Sequence, residues 1–373
     1  MEVLFVVLLV VVLLIGQRIV FAKLSFKKFD YSCAFNVKEA MQGEEIRLVE
    51  KVTNRKLLPL PWLRSELTTS RWLEYAGTQS MVTGDTRFVN SFFSMGGKQR
   101  TTRSWKVKCL KRGVFPIEKC MLLTTDLAGM GSTSFAVKTD AELTVLPKPC
   151  ELTEELTSAK KIGGDVVVRR HYLTDPFHTA GVREYAPGDP LNRVHWRATA
   201  RQGQIMVHND ECTADQNLLL LMNMQSRKND FSGVADEFCI EDCIRICAGY
   251  LDDTLRTGIP VRFGVNATLD GENGHLVTEE FAGREHVLDV LRMLARLPLK
   301  VGESCSDFLE SSVRNLEASD IVLVTSFFTE EMFAFARERQ AAGVRVKLVC
   351  AKALDESTLP EDLDILVLRE VPA

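Results

Sequence analysis

Four arginines, one histidine, one tryptophan and one aspartate fall between Arg183 and Arg201. The run carries Arg183, Tyr185, Gly188, Asp189, Arg193, His195, Trp196, Arg197, Thr199 and Arg201. A guanidinium is planar, with five donors in a fixed fork, and suits bidentate pairing with carboxylate or phosphate. Two readings of the run stand open. In one it is a structural clamp, with Asp189 paired to an arginine, Trp196 filling a core pocket and the other residues facing water. In the other it is a surface for an anion or a protein partner.

Other chemistry-bearing residues form weaker patterns. His171, His178, His195 and His208 are four of only six histidines, but their spacing matches no zinc motif. Cys239, Cys243 and Cys247 recur every four residues and so share one face of a helix, where they act as small core hydrophobes. The ten cysteines are scattered and include no CxxC pair, which fits a reducing compartment. A P-loop and a dinucleotide fingerprint are missing, and no G-x-S-x-G elbow precedes a helix. These residues point to a chain that is not an enzyme and needs no cofactor. The alternatives are a hydrolase of the cell envelope using the His/Arg-rich segment 171–208, and a purely structural subunit of a membrane complex.

The elements that would position these residues can be read from apolar periodicity. Val3 to Ile15 is an unbroken apolar run, resumed at Ile19 after Gly16, Gln17 and Arg18. As a helix, residues 1–22 would span roughly 33 Å, enough for a hydrocarbon core. No basic residue precedes the run, whereas Arg18, Lys23, Lys27 and Lys28 follow its first part. A basic leader and a small-residue cleavage site are both lacking, so the segment reads as an uncleaved anchor. The positive-inside rule then places the rest of the chain in the cytoplasm, as a single-pass protein of the cell membrane.

Residues 30–147 favour short strands punctuated by turns, as in a small sandwich or barrel. Ile46, Leu48 and Val52 mark one apolar face of such a strand. From 211 to 373 short, wholly apolar runs alternate with amphipathic helices. They include Leu218–Met222, Ile321–Val324 and Val344–Cys350. This is the pattern of a doubly wound, mostly parallel sheet. Residues 150–210 connect the two parts and carry the arginine-rich run. The fold class is therefore α+β multidomain: anchor 1–22, β-rich sandwich-like domain 30–147, connecting segment 150–210 and α/β domain 211–373. A net charge of −4 gives no reason to expect nucleic acid as partner.

The pattern Arg183-x-Tyr185-x-x-Gly188-Asp189, followed by Val194-x-Trp196-Arg197-x-Thr199-Ala200-Arg201, resembles the signature of the bacterial family called domain of unknown function 58. Asn54 to Trp62 and Lys111-Arg112-Gly113-Val114-Phe115 resemble the family's upstream part. The resemblance implies a von Willebrand factor A-like domain and a role as adaptor or assembly factor beside a MoxR-type AAA+ ATPase.

Von Willebrand A domains hold a divalent cation through D-x-S-x-S after the first strand and a second aspartate from a later loop. Here Asn223, Gln225 and Arg227 occupy the first set, and Ser326 stands for the second aspartate. Two carboxylates are lost and a positive charge is gained, so the resemblance implies a degenerate, metal-free site.

Overall fold

The computed structural model describes residues 2–126, 128–129, 131–152, 173–184, 195–213, 217–230, 233–314, 316–353 and 359–368, with backbone alone for 2, 173–184, 207–213 and 312. Among them are six α-helices: α1 (Glu2–Leu24), α2 (Trp196–Gln202), α3 (Glu237–Thr257), α4 (Val287–Arg296), α5 (Cys305–Phe308) and α6 (Glu330–Ala341). The chain divides into two compact units, Met1–Lys148 with Leu288–Leu297, and Pro149–Val287 with Pro298–Ala373.

In the first unit, Val3–Leu24 of α1 is long and apolar enough to cross a membrane. Most of its apolar side chains are exposed, but Phe21 is only 3% exposed and joins the unit's hydrophobic core. Arg18 also turns back to the unit. A Cβ at Gly131 would lie 3.2 Å from both the Arg18 Nε and the buried Asp126 carboxyl, so the two groups converge there.

Twelve strands follow. They are β1 (Phe29–Phe35), β2 (Glu39–Met41), β3 (Glu45–Asn54), β4 (Leu60–Ser70), β5 (Leu73–Ala76) and β6 (Gln79–Thr83). The rest are β7 (Thr86–Met95), β8 (Gln99–Cys109), β9 (Gly113–Pro116), β10 (Lys119–Thr125), β11 (Ser132–Val137) and β12 (Glu142–Leu146). Two antiparallel sheets, ordered β1-β3-β8-β5 and β11-β10-β4-β7-β6, are joined by a small sheet β2-β12-β9. Leu48, Val52 and Val107 from the first sheet share one core with Leu63, Leu67, Val89 and Leu122 from the second. Burial alternates along β3 and β4, because successive side chains of a strand point to opposite faces.

Two inward positions of β3 are not apolar, Glu50 and, at the strand's end, Asn54. Glu50 is fully buried between Leu48 and Val52. Its carboxyl group accepts from the Tyr31 hydroxyl at 2.6 Å, the Ser91 hydroxyl at 2.6 Å and the Trp105 Nε1–H at 2.7 Å. Tyr31 also lies 3.0 Å from the Ser65 hydroxyl. A buried carboxyl is tolerated only when its acceptor capacity is matched in this way. Burial, and then the neighbouring Glu50, push the Tyr31 phenol far above its usual range.

A second polar anchor holds α4. Arg112, 5% exposed, donates through Nη1 to the carbonyls of Leu294 at 2.7 Å and Leu297 at 2.8 Å. Those carbonyls lie in the last turn of the helix and just past it, where the regular helical donors run out, and a cation there complements the helix dipole. At the same helix, Arg292 forms a two-pronged pair with Glu39 at 2.7 and 3.0 Å.

The second unit contains a two-stranded antiparallel pair, β13 (Leu173–Glu184) and β14 (Met206–Thr213). Its main sheet has six strands: β15 (Leu218–Met222), β16 (Val261–Val265), β17 (Leu276–Val277), β18 (Asp320–Thr325), β19 (Arg345–Cys350) and β20 (Asp364–Val367). The spatial order is β17-β16-β15-β18-β19-β20, parallel throughout except for the edge strand β17. Leu219, Leu221, Ile321, Leu323, Val346 and Leu348 face α5 and α6. The alternate residues of these strands point to the opposite face, and α3 lies against β15, β16 and β18.

Local signals set the helix limits. Asp236 caps α3 by accepting from the Cys239 N–H, and Gly258 closes it at a φ of 81°. Thr329 caps α6 by accepting from the Met332 N–H. Such oxygen acceptors satisfy donors that the first turn leaves free. Nine free cysteines are described and all are buried. Burial pushes the thiols of Cys109, Cys150 and Cys350 up to about 11 and that of Cys305 to about 12.

Candidate functional site

Strand order reverses direction at β15, which pairs with β16 on one side and β18 on the other. In open α/β sheets the loops at the carboxyl ends of such strands form the usual crevice for ligands. Here the loop after β15 carries Asn223 to Asp230, the loop after β16 carries Asn266, and β18 ends on Thr325 before Ser326. Asn223, Gln225, Ser226, Asp230, Asn266, Thr325 and Ser326 are all buried.

Their polar atoms are spent on one another. The Asn223 Nδ2 donates to the Thr325 hydroxyl at 3.1 Å. Its Oδ1 accepts from the Gln225 N–H at 3.0 Å and from the Asn266 Nδ2 at 3.1 Å. Asn266 Oδ1 accepts from the Met224 N–H at 2.6 Å. Gln225 donates to the Asp230 carbonyl at 3.0 Å and accepts from the Cys305 N–H at 2.9 Å. The Ser326 hydroxyl donates to the Gln225 carbonyl at 2.9 Å. The three loops are thereby tied into one buried knot of amides and hydroxyls.

One carboxylate belongs to this knot, and the D-x-S-x-S comparison passes over it. Asp230 Oδ2 accepts from the Ser226 hydroxyl at 2.6 Å, from the Ser226 N–H at 2.9 Å and from the Arg227 N–H at 3.1 Å. The Ala235 N–H approaches the same oxygen at 3.4 Å. Burial opposes ionisation, but the hydroxyl and backbone donors outweigh it and hold the carboxyl below its ordinary range. The Arg227 side chain is exposed, so its positive charge stands at the rim rather than among the buried amides. The Lys352 ammonium lies 3.3 Å from the Asp236 carboxylate that caps α3.

The arginine-rich run is partly visible. Tyr185, Gly188, Asp189 and Arg193 lie outside the described residues. Arg183 sits in β13, where its backbone pairs with Val207. His195 caps α2: its Nδ1 accepts from the Ala198 N–H at 3.1 Å. Its own N–H donates to the Met206 carbonyl at 2.8 Å. The Thr199 hydroxyl donates to the His195 carbonyl at 3.1 Å and accepts from the Met206 N–H at 3.0 Å. His195 and Thr199 therefore stitch α2 to the start of β14.

Trp196 corrects the expectation of a core tryptophan. It is 74% exposed, because it opens a seven-residue helix that buries none of its side chains. Arg197 and Arg201 are also exposed on α2. The visible half of the run is thus a clamp at His195 and Thr199, and it holds a cationic, aromatic surface outward. Of the remaining histidines in the segment, His171 lies outside the described residues, and His178 and His208 are described by their backbone alone.

At the opposite, amino ends of the parallel strands a cavity of about 240 Å³ is lined by Tyr250, Asp253, Asp320, Arg345, Lys347 and Asp364, among others. Within this lining Arg345 pairs with Asp320 at 2.5 Å.

Residues 181–368, half of the chain, match the family described as "Protein of unknown function DUF58". The chain is also similar to the uncharacterized protein YeaD of Bacillus subtilis, with 24% identity over 263 residues. That match covers 69% of this chain but only 61% of the relative, so the chain spans about three fifths of its length. Among solved structures, a non-cellulosomal cohesin from Archaeoglobus fulgidus is 15% identical, covers 31% of this chain and 91% of its own, and has a TM-score of 0.22. A CARDB domain from Pyrococcus furiosus is 10% identical, covers 31% of this chain and 93% of its own, and has a TM-score of 0.21. On the match across 181–368, which takes in both the arginine-rich run and the six-stranded sheet, the chain belongs to the DUF58 family.

Proposed function

We propose that this protein is a non-catalytic, membrane-anchored adaptor whose second unit is von Willebrand factor A-like and works with a MoxR-type AAA+ ATPase on the cytoplasmic side. The observation that carries the reading is the closed hydrogen-bond knot at the switch point. A catalytic or metal-dependent site at that place needs polar groups aimed at a ligand, whereas here they are aimed at each other. The strand order, with one antiparallel edge strand, supports the von Willebrand reading. Lys23, Lys27 and Lys28 after the apolar run support the cytoplasmic side. The ATPase follows from the family resemblance, and the exposed Trp196, Arg197 and Arg201 offer it a cationic surface with an aromatic anchor.

The switch-point residues do not fit a divalent cation. Asn223 Oδ1 already faces two donors, Ser326 donates its hydroxyl to a carbonyl, and Asp230 Oδ2 is enclosed by N–H and O–H groups. Magnesium prefers anionic oxygens held open in near-octahedral array. Millimolar magnesium should therefore leave the thermal midpoint of the full chain unchanged, since only a ligand bound by the native state raises it. A magnesium-dependent rise that disappears on Asn223→Ala would overturn the metal-free reading.

His195, on which a hydrolytic reading would lean, spends its Nδ1 as a helix cap. The adaptor reading is tested by isolating the full chain from solubilised membranes. The ATPase is the expected companion, and a chain recovered without it removes that partner.

A further inference from the structure

The point where α1 enters the first unit is surrounded by basic loops. Lys27 and Lys28 follow the helix directly and are exposed. The Arg55 N–H donates to the Lys28 carbonyl at 3.1 Å, and the Lys98 N–H donates to the Lys56 carbonyl at 2.8 Å. The Lys56 ammonium donates to the Ser25 carbonyl. Buried Asn54 fixes two of these loops, donating to the carbonyls of Leu58 and Gly96, both at 2.9 Å. A Cβ at Gly97 would lie 2.3 Å from the Leu57 carbonyl oxygen, so glycine is what lets the loops touch. Three separate stretches of chain thus form one rim.

Leu57 stands on this rim 77% exposed. Beside it Phe26 stacks on the half-exposed Phe135 with ring centroids 5.3 Å apart. Lys28 and Lys98 have φ values of 50° and 53°, the two positive values among described non-glycine residues. Glycine or asparagine would adopt that conformation at less cost. Both positions carry lysine instead.

The depth of the helix places the rim. A hydrocarbon core about 30 Å thick takes about 20 helical residues. The helix has 23, and its final turns are already engaged, with Phe21 in the core and Arg18 beside Asp126. A span that long leaves no spacer between the bilayer and the rim.

From this we propose that Lys27, Lys28, Leu57 and Lys98 form a docking face for the anionic phospholipid surface of the leaflet through which α1 leaves the membrane, while the Arg55 guanidinium beside them is paired with Asp30 at 2.5 Å. The proposal rests on the anchor reading of α1. Lysine and arginine beside an anionic leaflet are held by its surface potential, and Leu57 inserts among the headgroups as an apolar tip. The unit is then pressed flat on the membrane instead of swinging on its helix.

Amide hydrogen exchange on the full chain in nanodiscs tests this. Discs of phosphatidylcholine alone are compared with discs containing phosphatidylglycerol. Exchange at 25–28, 55–58 and 96–99 should slow several-fold in the anionic discs. The protection should be lost on Lys27→Gln/Lys28→Gln/Lys98→Gln and reduced by Leu57→Ser, each with exchange in β3 unchanged as a control for folding. Equal exchange in both discs, with residues 3–15 protected in each, overturns the docking face and leaves the anchor standing. Unprotected residues 3–15 overturn the anchor and the docking face together.

Discussion

Replacing Glu50 with alanine should lower the stability of the first unit by about 3–5 kcal/mol, one of the two largest single-residue effects we expect. The Trp105 N–H is fixed by its ring and would be left without an acceptor, at about 1–3 kcal/mol for such a buried group. The Tyr31 and Ser91 hydroxyls would lose their 2.6 Å bonds, and the vacated volume adds a cavity term. Tyr31 keeps Ser65 as a neighbour, which limits the loss. Glu50→Gln should cost less, because the amide oxygen can stand where Oε2 accepts from Trp105 and Ser91, and the Tyr31 hydroxyl can rotate to accept from the amide nitrogen. Urea unfolding of the full chain, followed by tryptophan fluorescence, reads the effect with Trp105 as a reporter inside the cluster. A wild-type midpoint for Glu50→Ala would show that the cluster does not support the sandwich.

The second large effect belongs to Asp230. Its Oδ2 gathers donors from Ser226, Arg227 and Ala235 ahead of α3. Asp230→Ala should cost about 2–4 kcal/mol, since bonds to a charged acceptor are worth about 1.5–3 kcal/mol each and water replaces part of them. The pH dependence has a definite sign. The folded pKa is depressed, so the stabilising contribution is complete above the unfolded value, about 3.9. It is lost as the pH falls through the lower folded value. Asp230→Asn should therefore lie below wild type at neutral pH and lose less stability on acidification. Denaturation midpoints at neutral and acidic pH measure both. An acid dependence in Asp230→Asn equal to that of wild type would remove Asp230 from the knot.

Much of this architecture was legible where one local rule governed. Alternation along β3 put Ile46, Leu48 and Val52 inside, and all three are buried. The apolar runs at Leu218–Met222 and Ile321–Val324 became adjacent central strands, because a strand covered on both faces needs no polar side. Glu330–Ala341 is a helix that starts at the Thr329 cap.

Long-range relations were less legible. Glu50 lies in phase with Leu48 and Val52, so a carboxyl on the inward face was there to be seen, but its partners Tyr31, Ser91 and Trp105 lie far away in the sequence. Leu288–Leu297 lies in sequence within the α/β half, residues 211–373, yet it belongs to the first unit. The amphipathic pattern reports that a face is buried but not against what. Arg112 carries that information, and its three-carbonyl grip on the helix end has no sequence signal beyond the Lys111-Arg112-Gly113 run. The short α5 runs directly into a π-helical turn, Leu309–Val313.

The switch point shows the same division. The metal-ligand pattern meets no carboxylate at Asn223, Gln225 or Ser326. It does not reveal that Asp230 supplies one from within the loop, or that Asn266 closes the knot from the next strand. Trp196 was misplaced for a simpler reason. Aromatic size argues for burial on average, whereas a seven-residue helix with no buried side chain leaves its first residue in solvent.

The central claim is that α2, held by His195 and Thr199, presents Trp196 and Arg201 to an ATP-driven partner. The direct test is affinity isolation of the full chain from membranes, comparing wild type with Trp196→Ala/Arg201→Ala at matched melting temperature. Wild type should bring down a MoxR-type ATPase, and the variant should be depleted of it. An ATPase recovered undiminished with a stably folded variant, or not recovered with wild type, would contradict the claim.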